Sequence, residues 1–179
     1  MSNKKILLIV LLIIILAAAS RLVKHPFNFT PIAAMALFSG AYLKNRWGIL
    51  LPLAALLVSD YFIGFYDWQI MTSVYVSITL VFLIGKYISK RIKWQNVFLA
   101  SLLSSVSFFI ITNFAVWAFF PWYPHTFAGL ASCFTMAIPF FKNTLAGDIV
   151  YSAALFGAFE FALFLAKKRN LQKSLTSIK

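Results

Sequence analysis

Apolar residues run through this chain in long blocks, and the polar residues gather in short clusters between them. Measured against the ~20 residues that cross ~30 Å of hydrocarbon, the blocks predict helices over 6–22, 31–43, 47–66, 70–88, 97–119 and 144–166. A further apolar stretch, 127–141, contains Pro139 and is followed by Lys142-Asn143-Thr144. Counted as a span, it makes the number of crossings odd and sends Lys167-Lys168-Arg169 outside, against the cytoplasmic preference of basic residues. The expectation is therefore an all-α polytopic membrane protein: six transmembrane helices plus a short re-entrant or interfacial helix over 127–141, with both termini cytoplasmic. Residues 1–179 form a single membrane-embedded helical bundle in this reading. Lys4, Lys5, Lys44, Arg46, Lys86, Lys90, Arg91, Lys93, Lys167, Lys168, Arg169, Lys173 and Lys179 then lie inside, and only Arg21, Lys24 and Lys142 lie outside.

Composition agrees with the pattern. With 62% apolar and 11% charged residues and a mean hydropathy of +0.88, the chain has too little charge for a soluble surface. Its net charge of +12 would suggest nucleic acid in a soluble protein. Here the basic residues sit at the ends of apolar segments, where they orient the chain and meet anionic lipid, so no nucleic-acid partner is expected. The single Cys133 offers neither an internal disulfide nor a C-x-x-C site. Lys4-Lys5, the run Ile6 to Leu16 and Ala17-Ala18-Ala19 imitate a secretory signal, but the run reaches Ala19 and Arg21 can snorkel to the interface, which favours an uncleaved first helix.

The segment 31–43 is short. Thr30-Pro31 reads as an N-cap hydroxyl followed by proline at the first helical position. Thirteen residues cover about 20 Å, leaving roughly 10 Å to be filled by Lys24-His25-Pro26-Phe27-Asn28-Phe29. That segment must dip into the membrane. Irregular backbone at such depth survives only where protein buries it or water reaches it, which implies an outward-facing cavity roofed by this loop. Short, proline-interrupted segments also point to transporter sites.

Three of the four acidic residues, Asp60, Asp148 and Glu160, fall inside apolar runs. A carboxylate there costs roughly 2.5–3.5 kcal/mol on insertion scales, so each asks for a partner, a proton or water. Heights estimated along the helices place Asn28, Thr30, Asp60, Asn113, Asn143 and Asp148 in one layer under the outer loops. With Trp68 available for stacking, they form the candidate substrate-binding set. Structural roles compete with that reading. Asp148 can complement a helix N-terminus capped by Asn143 or Thr144, Asp60 can pair with Arg21, Lys24 or Lys142, and Asn113 can bridge helices. Glu160 lies deeper, near Lys167-Lys168, and is left out of the site. The rings of Phe65, Tyr66, Trp68, Trp117, Phe119, Phe120, Trp122 and Tyr123 suit an interfacial belt, with stacking on a planar ligand the alternative for Trp68, Trp122 and Tyr123 in the loops. His25 and His125 share no helix face, so no metal is expected. The pairs Ala36/Gly40, Ser101/Ser105 and Ala153/Gly157 follow the small-xxx-small spacing of close helix packing, internal or with a partner. No phosphate loop, nucleophile elbow or H-E-x-x-H helix is present, so neither enzymatic activity nor a cofactor is expected.

Asn28-Phe29-Thr30-Pro31, Ala36 to Ala41, Pro52 through Ser59-Asp60 and Asn143 to Asp148 resemble the signatures of an uncharacterised family of small bacterial integral membrane proteins, over about residues 20–165. That resemblance implies a multi-pass protein of the bacterial cytoplasmic membrane. More remotely, six helices with an outer pocket roofed by the first loop are similar to the S components of energy-coupling-factor vitamin transporters. This likeness implies capture of a vitamin-like solute, with a membrane coupling subunit and cytoplasmic ATPases as partners. No A-x-x-x-A coupling motif is found in the first helix, and Met1-Ser2 lacks the Met-His start of the nickel and cobalt members. A membrane accessory or assembly protein with a structural polar cluster, and a membrane enzyme using Asp60 or Asp148 as a base, remain the other readings.

Overall fold

The computed structural model describes residues 28–43 and 45–176, with the isolated positions Leu8, Leu12, Ile15 and Ala19; the side chains of Arg46 and of residues beyond Lys168 are not described. The expected span 6–22, and with it Arg21 and Lys24, lies outside the described residues save those four positions, which are helical and exposed. The described residues form helices and no strands. In chain order these are α1 (Ile32–Tyr42), a 3-10 turn (Arg46–Ile49), α2 (Leu50–Ile63), α3 (Trp68–Ile88), α4 (Trp94–Phe119) and α5 (Phe127–Thr176). Three are long and apolar enough to cross a membrane: Trp68–Ile88, Trp94–Phe119 and Phe127–Lys168.

The short helix α1 is the centre of the bundle. Every residue from Ile32 to Ala41 is buried, as expected for a helix that is apolar on all faces. Its path against α3 depends on two glycines. A Cβ on Gly40 would collide with the Phe82 carbonyl oxygen, and a Cβ on Gly85 with that of Leu37; the small residues at 36 and 40 therefore serve internal packing. On its other side Phe38 meets Phe156 and Phe159 edge-on, with centroids 5.3 and 5.6 Å apart. Tyr42 donates to Glu160 Oε1 at 2.7 Å, which gives that carboxylate a phenol partner. Pro31, not Thr30, occupies the cap position, with no side-chain cap bond; Met35 N–H donates to the Pro31 carbonyl at 2.8 Å. The cap position thus falls one residue later than expected, on a residue with no hydroxyl. Helix α2 ends where Gly64, at φ 113°, turns the chain through a region glycine enters freely.

The largest departure from expectation is α5. The sequence suggested a re-entrant helix over 127–141 and a separate span from 144, yet one helix runs from Phe127 to Thr176 with Pro139 inside it. A proline removes one backbone donor and crowds one carbonyl, a cost that packing on both flanks can offset. That packing is present: Phe134 and Phe141, on either side of Pro139, both contact Phe109 of α4, at 5.4 and 4.7 Å. Thr144 donates to the Phe140 carbonyl at 3.2 Å, so the polar cluster continues the helix. Along their shared length α4 and α5 run antiparallel, with Asn113 beside Cys133, Ser105 beside Asp148 and Ser101 beside Ser152.

Candidate functional site

Of the segment 24–29 expected to roof the cavity, only Asn28 and Phe29 fall within the described residues. Asn28 adopts φ 62°, a left-handed conformation that asparagine tolerates better than most residues. The next two residues lie against α5. Gly147 leaves room for them, since a Cβ there would stand 3.2 Å from Phe29 Cα and 3.4 Å from Thr30 N. Phe29 also packs on Tyr151, with ring centroids 5.5 Å apart. Residues 28–30 are thereby seated on the face of α5 that carries Asp148.

Beneath them is a cavity of about 340 Å³. Asn28, Thr30, Thr112, Thr144 and Asp148 supply its polar groups; Ile32, Leu56, Tyr66, Val74 and Phe108 are among its walls. A smaller space of about 100 Å³ adjoins it, lined by Asn28, Asn113 and Thr144 among others. Thr144 and Asp148 share a helix face because they are four residues apart. Asp148 is 3% exposed, and its Oδ2 accepts a hydrogen bond from Ser105 Oγ at 2.6 Å. It sits deep inside a continuous helix, so the orphan amides of a helix N-terminus do not explain it. Among the described lining residues Asp148 is the sole carboxylate, and none is basic.

Of the residues expected in the site, Asn28, Thr30 and Asp148 line the cavity and Asn113 lines its annex. Asn113 also donates from Nδ2 to the Phe109 carbonyl at 2.8 Å. Asp60 is buried at 1% exposure, one turn beyond the cavity residue Leu56, and does not line the cavity. Asn143 does not line it. Trp68, 69% exposed, lies on the outer side of α3 in a shallow apolar groove with Met71, Val76 and Leu80, a surface suited to lipid chains rather than to stacking in the site. His125 packs on Trp117, and no metal-holding cluster occurs among the described residues. Thr144, Thr112 and Ser105 are the additions. Each had a signal: Thr144 stands four residues before Asp148, Thr112 adjoins Asn113, and Ser105 belongs to a small-residue pair.

The described helices are those of a helical membrane protein, with a cavity whose apolar walls carry a few polar groups. The chain belongs to a family of unknown function, DUF6580, whose profile matches residues 1–173. No match was found among curated proteins or among solved structures.

Proposed function

We propose that the chain is a solute-binding integral membrane subunit, S-component-like, that captures a small vitamin-like solute in the cavity beneath residues 28–30. The observation that carries this reading is a cavity of about 340 Å³ with a buried carboxylate among otherwise neutral polar groups. Ligand sites fall at roughly 300–1,000 Å³ and combine apolar walls with a few placed polar groups. One carboxylate facing no basic side chain among the described lining favours a neutral or cationic solute that presents hydrogen-bond donors. Binding rather than turnover is the role assigned to Asp148, and a membrane coupling subunit with cytoplasmic ATPases would supply the driving force.

The accompanying topology has six crossings with both termini cytoplasmic, in a bacterial cytoplasmic membrane. An unbroken Phe127–Thr176 helix counts as one crossing, so the even number needs no re-entry. Cysteine introduced at Gln172 in a Cys133→Ser background should resist an impermeant maleimide added to intact cells and react after permeabilisation. Labelling in intact cells would reverse the assignment of the C-terminus.

Residues 28–30 act as the lid over the solute. Hydrogen exchange at the Phe29 and Thr30 amides should slow in protein carrying its solute relative to protein washed free of it. Identical exchange in the two preparations, with solute demonstrably bound in one, would make the segment a fixed plug.

A further inference from the structure

A groove of about 840 Å³ lies between helices α3 and α4 beside the short turn that joins them. Leu83, Tyr87, Leu99 and Leu103 form its apolar wall and are all exposed. Lys86, Lys90 and Arg91 stand along its rim, while none of the chain's four acidic residues lines it. The rim is held in shape by its own hydrogen bonds. Asn96 Nδ2 donates to the Arg91 carbonyl and Ser89 Oγ to that of Lys86, each at 2.6 Å. The backbone that carries three cations is thus held beside a wall that, in a bilayer, faces acyl chains.

We infer that this groove holds one anionic diacyl phospholipid, its phosphate among Lys86, Lys90 and Arg91 and its chains along Leu83, Leu99 and Leu103. A basic rim continuous with an apolar groove matches both halves of such a molecule, and basic pockets between membrane helices take phosphate headgroups. The inference needs only that α3 and α4 cross a membrane and is independent of the solute reading.

The test is native mass spectrometry of the full chain equilibrated in detergent with equal dioleoyl phosphatidylglycerol and dioleoyl phosphatidylcholine. Phosphatidylglycerol should be retained about tenfold over phosphatidylcholine, a ratio that K86Q/K90Q/R91Q, with its charges removed, should abolish. Leu103→Trp leaves the charges and fills the groove, so it should lower retention of both lipids. That variant decides the matter if the triple substitution alters the melting profile. Inorganic phosphate in millimolar excess should not displace the lipid. Equal retention of the two lipids by the parent protein, undiminished phosphatidylglycerol in either variant, or displacement by phosphate alone would overturn the assignment.

Discussion

Valine in place of Gly40 or Gly85 should lower the melting temperature far below the parent's. At these positions α1 and α3 approach so closely that a first side-chain carbon on either glycine would occupy the space of a carbonyl oxygen across the interface, Phe82 for Gly40 and Leu37 for Gly85. Backbone on both sides cannot rotate aside as a side chain can, so the helices must separate. Separation uncovers the packing around Leu37, Phe38, Val81 and Phe82, all within the buried core. Overpacking a well-filled core costs about 1–3 kcal/mol and sometimes more, and the cost here should lie at the upper end. Against a total stability of roughly 5–15 kcal/mol, that is a large share. Gly157→Ala is the control, because its Cβ would stand 3.6 Å from Trp94 Cη2, an ordinary contact. Thermal melting and size-exclusion profiles in detergent should put Gly157→Ala with the parent and the two valine variants far below it. A Gly40→Val protein that melts with the parent would contradict the close crossing.

What the sequence disclosed follows from arithmetic along the chain. An α1 too short for the bilayer led to the expectation that residues 24–29 dip inward; among the described residues Phe29 and Thr30 lie against Gly147. Heights counted at 1.5 Å per residue brought Asn28, Thr30, Asn113 and Asp148 to one level, because rise along a helix is fixed whatever its neighbours. Facing is another matter. In these helices apolar residues cover every side, so little amphipathic contrast says which side turns inward. Asn143, counted to the level of the site, therefore does not line it, while Thr112 and Thr144 do. Asp60 illustrates the same gap: its burial was legible as a problem to be solved, its direction was not. The continuous α5 was hidden by Pro139 and Lys142-Asn143-Thr144, which read as punctuation. Whether a proline ends a helix depends on what grips its flanks, and here Phe109, thirty residues away in sequence from Pro139, does so. That one boundary also changed Asp148 from a residue beside a helix terminus into a buried carboxylate in the middle of a helix.

Asp148→Asn should weaken solute retention by roughly 10- to 150-fold, the equivalent of about 1.5–3 kcal/mol for a lost charge-assisted hydrogen bond. Asparagine keeps the shape, and its amide oxygen can still accept from Ser105, now 2.6 Å from Asp148 Oδ2, so the α4–α5 contact should persist. A purely structural carboxylate predicts the reverse, in which stability changes and any bound solute does not. Ser105→Ala helps to separate the two, because it removes the helix-to-helix bond while leaving the carboxylate in the cavity wall. Its effect should fall mainly on melting, by about 1 kcal/mol for one lost hydrogen bond.

The most direct measurement is the small-molecule content of the purified protein, released by denaturation and quantified by mass spectrometry for wild type and Asp148→Asn at matched folded fraction. The account predicts a specific low-molecular-weight solute near one per chain in the wild type, neutral or cationic and rich in hydrogen-bond donors, and its loss from Asp148→Asn. The same solute retained equally by both folded proteins, or none in any wild-type preparation from solute-replete cells, would contradict the claim that this cavity is a binding site.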